Sequence, residues 1–290
     1  MRLCVGIASA GRRRTLEVTL RHLARQSRLP DTLYLCAVGE DPNRIVLEAL
    51  PFPVVQVPSA KGLTIQRNAI LDAAADADAI LFLDDDFLCA ADYLARAEDL
   101  LTEHPDIAML TGRVLADGIK GPGLSVAEAE SILEYAPRGT DDTRDVHNGY
   151  GCNMVVRMTA AVGLRFDEGL PLYGWLEDVD FSRRLAERGR VVRADALRGI
   201  HLGVKSGRSP GRQLGYSQIA NPVRLVRAGT MAPHRALSIM LRNILANVVR
   251  SPRPEPWVDR YGRLRGNLHG LADLVLGRLD AMKAATMGAR

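Results

Sequence analysis

The feature that most constrains the fold is an alternation of short apolar runs with helical patterns in the first third of the chain. Strand-like runs stand at residues 2–8, 32–38, 53–58 and 79–84, and helical patterns separate them. Short apolar runs separated by helices are typical of βαβ units, whose parallel sheet is buried on both faces. The sequence therefore predicts an α/β fold with a mostly parallel sheet flanked by helices.

Three consecutive aspartates, Asp84, Asp85 and Asp86, follow the fourth apolar run in "AILFLDDDF". Adjacent carboxylates repel one another, and burial of an unpaired charge is costly. Ligands of parallel sheets bind beyond the carboxyl ends of the strands, which predicts a position in a cleft. In an extended segment Asp84 and Asp86 point to one side, an arrangement that favours Mg²⁺ or Mn²⁺. An acidic cap on the next helix is the alternative.

A second acidic motif, "GWLEDVDF", opens a predicted helix that ends at Gly189. Glu177 and Asp178 stand at its start, and Trp175 lies in the aromatic-rich turn before it. A carboxylate at a helix start normally stays ionised, and it can accept a proton from a sugar hydroxyl. An aromatic face can stack on a sugar ring. The alternative is a pair of ordinary N-terminal helix acids beside a core tryptophan.

Several basic residues are candidates for phosphate or metal binding. His201 follows a strand, and a neutral imidazole can join two carboxylates around Mn²⁺, although a loop histidine is usually unremarkable. Lys205 and Arg208 could clamp a diphosphate, or they belong to a solvated basic loop. Lys61 and Arg67 lie in the turn and helix before the acidic strand. Arg67 reaches either phosphates or the aspartate triplet, or it is a surface arginine.

The formal net charge of +4 hides an asymmetry along the chain. Residues 203–290 carry 15 Lys and Arg against 4 Asp and Glu, whereas residues 1–202 carry 23 against 30. An acidic body joined to a basic extension indicates an anionic surface or ligand. The extension shows no nucleic-acid-binding motif, so we predict no nucleic-acid partner.

The cysteines and the hydropathy pattern predict a cytoplasmic protein. The cysteines form no CxxC pair, so we expect small buried side chains in a reducing compartment rather than disulfides or a zinc site. The start "MRLCVGIASAG" is too short for a signal peptide, and no segment reaches the ~18 apolar residues of a membrane span. The four cysteines are Cys4, Cys36, Cys89 and Cys152.

The order of the motifs carries a family resemblance. The chain contains, in sequence, "VGIASAGRRRTLEVTLRHLARQ", "RNAI", "FLDDD", "NGYGCNMVVR" and "GWLEDVDFSRRL". In this order, over residues 2–202, it resembles the family 2 glycosyltransferases of the Rossmann-like GT-A fold. The segments "HLGVKSGR", "GYSQIANPVRLVRAGTM" and "DRYGRLRGN" are similar to those of bacterial polysaccharide-assembly members.

The resemblance implies a domain organisation. Residues 1–202 would form the catalytic domain, with a nucleotide-sugar half over about 1–116 and an acceptor half over about 117–202. Residues 203–290 would form a basic helical extension that packs on the catalytic domain and is able to associate with a membrane.

The resemblance also implies roles for individual residues. Asp178 would be the catalytic base, with Glu177 and Trp175 binding the acceptor. Asp84 would approach the ribose and Asp86 the metal at the diphosphate. His201 would complete a metal set with these two aspartates, for Mn²⁺ or Mg²⁺. The nucleotide-sugar-binding residues implied are Ala8, Ser9, Glu40, Asp41, Lys61, Arg67, Asp84, Asp85, Lys205 and Arg208.

One departure from the family pattern concerns the base of the nucleotide. Family members commonly carry an Asp-Asp-Gly-Ser-like turn after the second strand, whose acid meets the base. Here the stretch is "AVGEDPN", so Glu40 or Asp41 would stand in, displaced along the chain. The resemblance therefore favours a UDP-sugar without fixing the base.

The function expected from the resemblance is metal-dependent, inverting transfer of a hexosyl-type sugar from a nucleoside-diphosphate sugar. The acceptor would be a hydroxyl of a glycan or of a polyprenyl-diphosphate-linked saccharide, in cell-surface exopolysaccharide synthesis. A retaining GT-A transferase and a sugar-nucleotide nucleotidyltransferase are the alternatives within enzymes. A non-catalytic sugar- or partner-binding subunit is the alternative of another class.

The basic extension contains an amphipathic pattern over residues 235–249. A helical wheel places six apolar residues on one face and Arg235, Asn243, Asn247 and Arg250 opposite. Such a helix can rest on an anionic bilayer, which would make the protein peripheral at the inner face of the cell membrane. A helix packed on the catalytic domain, or a dimer contact, is the alternative. The six apolar residues are Leu237, Met240, Leu241, Ile244, Leu245 and Val248.

Overall fold

The computed structural model describes residues 1–39, 42–206 and 209–288. The chain divides into two compact units. The sheet unit comprises Met1–Lys61, Ile65–Phe166 and Phe181–Gly207. The helical unit comprises Gly62–Thr64, Asp167–Asp180 and Arg208–Arg290. The "GWLED" motif thus groups by its contacts with the C-terminal helices, while the functional division at residue 202 stays a prediction.

The described part of the sheet unit contains one sheet of nine strands. These are β1 (Leu3–Ala10), β2 (Leu33–Val38), β3 (Val54–Gln56), β4 (Ala79–Asp84), β5 (Phe87–Cys89), β6 (Ile107–Asp117), β7 (Thr143–Asp145), β8 (Asn153–Arg157) and β9 (Arg190–His201).

The helices of the described residues come next in chain order. They are α1 (Arg13–Leu23), α2 (Arg44–Glu48), α3 (Leu63–Ala73), α4 (Tyr93–Glu103), α5 (Val126–Tyr135), α6 (Met158–Ala161), α7 (Glu177–Leu185), α8 (Gly211–Arg227), α9 (Pro233–Arg250), α10 (Arg260–Val275) and α11 (Lys283–Thr286), with a 3-10 turn at Gly118–Lys120.

Six of the nine described strands run in the same direction. The order across the sheet is β3-β2-β1-β4-β8-β6-β9-β5, and β7 pairs with β9. Strands β1 to β4 pair in parallel, as do β6 and β9, whereas β5, β7 and β8 run antiparallel to their neighbours. The predicted mostly parallel α/β sheet is therefore confirmed.

Apolar residues on both faces of this sheet explain why its strands read as continuous hydrophobic runs. One cluster packs β1 and β4 against α1 and α4, and a second packs their opposite faces against α3. Because no strand face meets water there, the sequence cannot show the alternation of a half-exposed sheet. All four cysteines are buried and free of disulfides, as predicted.

The carboxyl end of the sheet gathers polar residues from three strands. Strand β4 ends at Asp84, β6 at Asp117 and β9 at His201. Asp117 and His201 are register partners. After Asp84 the chain turns and forms β5, which pairs with β9 so that Phe87 lies opposite His201. The turn at Asp85 and Asp86 therefore carries the chain across this end of the sheet, from β4 to β9.

Several elements differ from the sequence-based predictions. The alternative of an acidic cap on α4 is wrong, because β5 intervenes and Asp92 occupies the N-cap position. Strands β5 and β7 were not predicted, since runs of three residues carry no periodicity. Helix α5 was also missed, although Ser125 and Glu128 form a capping box that marks its start.

In the helical unit, α8 and α10 approach each other closely at two glycines. A Cβ on Gly215 would overlap the carbonyl oxygen of Arg263, and one on Gly266 would overlap that of Arg212. Only glycine fits this contact without moving a backbone. None of the described helices is long and apolar enough to cross a bilayer.

Helix α9 corrects the wheel drawn from the sequence. Asn247 was predicted on an outward polar face, but it is buried and donates to Gln218 Oε1 (3.0 Å) and Asn267 Oδ1 (2.8 Å). Gln218 in turn donates to Asn243 Oδ1 (3.0 Å). The amide face of α9 therefore points inward, because α8 and α10 supply amide partners for it. Leu237 and its apolar neighbours along the helix are exposed.

Candidate functional site

Asp84, Asp86 and His201 converge at the carboxyl end of the sheet. One ligand atom from each residue lies within 4.8 Å of the others. His201 Nε2 is 3.3 Å from Asp86 Oδ1. Because β5 returns beside β9, two aspartates that are two residues apart meet a histidine that follows them by more than a hundred residues. The structure thus brings together the three residues that the sequence predicted as metal ligands.

The protein supplies positive charge to each aspartate of the triplet. Arg67 Nη2 lies 3.1 Å from Asp84 Oδ1 and also donates to the Gly151 carbonyl (2.7 Å). Arg12 lies 2.5 Å from Asp85 Oδ1 and 3.5 Å from Asp86 Oδ2. Burial raises the pKa of Asp84, although Arg67 opposes this shift. Three like charges can therefore sit side by side because arginines from α3 and the β1–α1 turn partly neutralise them.

Asp85 points away from this cluster. Its Oδ2 accepts hydrogen bonds from Ser9 Oγ (2.5 Å) and Arg12 Nε (3.1 Å), and its carbonyl accepts one from Thr19 (2.7 Å). The side chain is fully buried, and burial raises its pKa to about 7 even though Arg12 opposes this. Asp85 ties the acidic turn to β1 and α1.

His201 is oriented by a second carboxylate. Its Nδ1 is 2.9 Å from Asp117 Oδ1, and the other oxygen of Asp117 accepts a hydrogen bond from Tyr150 (2.8 Å). Burial disfavours the charged imidazole, but the hydrogen bonds to Asp117 and Asp86 outweigh it and raise the pKa to about 10. Burial likewise opposes ionisation of Asp86, whereas His201, Arg12 and the Val204 N–H hold its pKa below the ordinary value.

The donor set fits a divalent cation. Two carboxylates and one imidazole are ligands that Mn²⁺ accepts, and carboxylates also suit Mg²⁺. When Nδ1–H of His201 is donated to Asp117, the lone pair of Nε2 faces Asp86 and is available to a metal. Such a carboxylate behind a histidine is the usual support of a metal-binding imidazole.

The other predicted nucleotide-site residues of the sheet unit lie at different distances from this cluster. Ala8 is the register partner of Asp84, and Ser9 binds Asp85. Arg67 is 2% exposed, so it is not the surface arginine of the alternative interpretation. Lys61 is exposed in the loop before α3. Lys205 donates to the carbonyls of Gly118 and Ile119, both at 2.9 Å. The predictions for Glu40, Asp41 and Arg208 fall outside the described residues.

In the helical unit, the "GWLED" motif forms a strained turn before α7. Leu172 and Leu176 have φ angles of 63° and 76°, a region that residues other than glycine rarely adopt. The turn is held by the side chain of Asn221, which donates to the Trp175 carbonyl (2.8 Å). Backbone strain of this kind concentrates at functional sites.

The two acids of the motif occupy different environments. Glu177 is buried, and its backbone N–H donates to the Gly174 carbonyl (2.7 Å). Asp178 is half-buried, and its Oδ1 accepts the Val179 N–H (2.8 Å). Asp178 is therefore the more accessible carboxylate of the pair.

Sequence reasoning missed three residues of the site: Arg12, Asp117 and Tyr150. Arg12 lay in "AGRRR", directly after the first strand, and Asp117 ends a strand whose predicted boundary was Leu115. The signal that could have found both is position, since polar residues at the carboxyl ends of parallel strands share one edge. Tyr150 comes from a loop, where no periodic signal exists.

Comparison with known families and structures agrees with this architecture. A family model described as "Glycosyl transferase family 2" matches residues 4–162, more than half of the chain. A comparison with curated proteins found no match.

Solved structures with a similar fold are all remote in sequence. Mannosyltransferase PcManGT from Pyrobaculum calidifontis, in complex with GDP-Man and Mn²⁺, is 15% identical (TM-score 0.54; 98% of this chain and 77% of that one covered). S. aureus TarS 1-349 in complex with UDP is 15% identical (TM-score 0.57; 96% and 83%). GalNAc-T7 with UDP, GalNAc and Mn²⁺ is 14% identical (TM-score 0.54; 96% and 58%). The chain spans 40% of the longer S. aureus TarS chain.

Replacing Arg12 tests whether it compensates the buried triplet. We expect Arg12→Met to lower the free energy of unfolding by about 3 kcal/mol, because it leaves Asp85 buried without its partner. Adding Asp85→Asn should restore most of this loss. Arg13→Met, at the neighbouring exposed arginine, should change stability by less than ~0.5 kcal/mol. Urea denaturation measures all four proteins, and unchanged stability of Arg12→Met would contradict the assignment.

Replacing Asp117 tests whether it orients His201 for a metal. We expect Asp117→Ala to weaken Mn²⁺ binding by about 10- to 100-fold, the usual cost of losing the carboxylate behind a histidine ligand. Asp117→Asn should fall between this variant and the wild type. Mn²⁺ titration followed by electron paramagnetic resonance gives the affinity, and Asp141→Asn, at an exposed carboxylate, is the control. Wild-type Mn²⁺ affinity in Asp117→Ala, with the fold intact by circular dichroism, would exclude this role.

Proposed function

The chain belongs to glycosyl transferase family 2, and from this premise we propose that it is a metal-dependent, inverting hexosyltransferase. It moves a sugar from a nucleoside-diphosphate sugar to a hydroxyl of a saccharide acceptor. The observation that carries the proposal is the convergence of Asp84, Asp86 and His201 at the carboxyl end of a parallel sheet. This is the edge at which open α/β sheets bind nucleotides.

The proposed donor is a UDP-sugar. Structures of similar fold hold UDP, GDP-Man, or UDP with GalNAc, two of them with Mn²⁺. Asp84 is proposed to meet the ribose, and Ala8 and Ser9 to line the base. The nucleotide site would be completed by Glu40, Asp41, Lys61, Arg67, Asp85, Lys205 and Arg208.

Asp84, Asp86 and His201 would hold a divalent cation, Mn²⁺ or Mg²⁺. When bound, the cation supplies positive charge that stabilises a leaving diphosphate. Asp86 is best suited to ligation, because its pKa is held low and it stays ionised. Arg12 and Arg67 keep the triplet in place whether or not the cation is bound, since each contacts an aspartate directly.

Asp178 is the proposed catalytic base. An ionised carboxylate can take the proton from an acceptor hydroxyl as the hydroxyl oxygen attacks the anomeric carbon. The bond from the anomeric carbon to the diphosphate breaks in the same displacement, which inverts the configuration. Partial exposure of Asp178 and strain in the turn before it support this role. Glu177 and Trp175 are proposed to bind the acceptor.

The acceptor is proposed to be a glycan or a polyprenyl-diphosphate-linked saccharide. Sugar polymers built on such lipids grow at a membrane surface, and the basic C-terminal extension is suited to that location. This places the protein in the cytoplasm, peripheral at the inner face of the cell membrane, in exopolysaccharide synthesis.

Nucleotide binding gives the first test. At ~100 times its Kd a ligand adds about 2.7 kcal/mol of stability, a readable thermal shift. We expect UDP with Mn²⁺ to stabilise the wild type, and GDP, dTDP and CDP to do so less. Asp86→Asn should abolish the metal-dependent part of the shift, whereas Asp76→Asn, at an exposed carboxylate, should keep it. A lack of response to every nucleotide would favour a non-catalytic binding subunit.

Asp178 gives the second test. We expect Asp178→Asn to lower kcat by about 10²- to 10⁴-fold, the usual contribution of a general base, with donor affinity unchanged. Glu187→Gln, at an exposed acid beyond the end of the same helix, should keep full activity. Nuclear magnetic resonance of the product should show inverted anomeric configuration. Retained configuration, or normal turnover by Asp178→Asn, would eliminate the base assignment and favour a retaining transferase.

A further inference from the structure

Helix α9 exposes an aliphatic stripe to solvent. Leu237, Leu241, Leu245, Val248 and Val249 are between 49% and 65% exposed. At 100° per residue they fall within an arc of roughly 120°, and at 1.5 Å per residue they extend over about 18 Å of the helix. We call these five residues the leucine stripe. Isolated exposed aliphatic residues are common, but five on one helix face form a continuous apolar surface.

The stripe is not a consequence of a helix that lacks an apolar interior to pack against. Met240 and Ile244 turn inward and pack on the aliphatic cluster around Tyr216 and Ile219. Asn247 is also inward, where it bonds with amides of α8 and α10. The helix thus buries amides while it exposes leucines. In a helix whose only role is packing, the apolar face would be the buried one.

The charge of the helix is entirely positive. It carries Arg235, Arg242 and Arg250 and no aspartate or glutamate. Arg250 pairs with Glu255 (2.6 Å), whereas Arg235 and Arg242 form no ion pair with a carboxylate of the described residues. On the helical wheel, Arg242 and Arg235 border the stripe on the side of Val249.

We propose that the leucine stripe docks on an anionic phospholipid bilayer. Aliphatic side chains bordered by arginines, without acids, match the boundary between acyl chains and anionic headgroups. A second copy of the stripe is a poorer occupant. In a two-fold contact the same surface faces itself, which brings Arg235 and Arg242 of both copies together with no acid on the helix to pair them. The inference concerns this surface alone and does not depend on the transferase reaction.

Vesicle binding tests the docking surface directly. We expect the full chain to sediment with vesicles of equal phosphatidylglycerol and phosphatidylcholine, and not with pure phosphatidylcholine. The double variant Leu241→Gln with Leu245→Gln should bind about tenfold more weakly or less, because it removes two central apolar anchors. The matched control is Ile45→Gln with Val162→Gln, which removes two equally exposed aliphatic residues from the sheet unit. This control should bind as the wild type does.

The arginines form a second arm of the experiment. Replacing Arg235 and Arg242 with glutamine should weaken binding by about fivefold for each arginine, and should flatten its dependence on salt. Circular dichroism should show that both double variants are folded.

Three outcomes would overturn the proposal. The first is a wild-type chain that does not bind the anionic vesicles at low salt. The second is a leucine variant that binds as tightly as the wild type. The third is a wild-type dimer in analytical ultracentrifugation that the leucine variant converts to monomers, without vesicle binding by either. The nucleotide thermal shift of the leucine variant should equal that of the wild type, so failure here leaves the proposed function standing.

Discussion

The structure of the site depends on how three adjacent carboxylates are kept together at the end of β4. Asp84, Asp85 and Asp86 alternate in direction, so that no two neighbours share a side, and each has its own cationic contact. The contacts come from α3, from the turn after β1 and from the end of β9. Because these partners derive from distant parts of the sequence, the acidic turn can form only when the sheet has closed around it. The sheet order and the charge arrangement therefore determine each other.

Much of the fold follows from periodicity in the sequence, whereas much of the site does not. The buried runs before Ala10, Val38 and Asp84 predicted parallel strands because a sheet covered on both faces leaves a continuous apolar signal. Asp84, Asp86 and His201 were predicted as a set, and the structure brings them together. Arg12 and Asp117 were missed because ion pairing across a sheet edge depends on tertiary register, which no local pattern encodes.

Helix α9 shows a different limit of sequence reasoning. Its wheel separates leucines from amides and arginines, but a wheel gives two faces without saying which of them is buried. Burial of the amide face requires partners, and these are Gln218 and Asn267 on two other helices. Amphipathicity is thus a property of the helix, while its orientation belongs to the whole helical unit. Assigning Asn247 to the surface was wrong for this reason.

Two local costs in the chain coincide with the two motifs that the proposed function uses. A buried cluster of carboxylates and arginines is less favourable than a well-packed apolar group of the same volume, because each ion loses its hydration. Leu172 and Leu176 adopt backbone angles that glycine would adopt without strain. A sequence shaped for stability alone would use neither device. Both become intelligible when the triplet must receive a charged ligand and the turn must present Asp178 in one orientation, since each requires groups held in place before the ligand arrives.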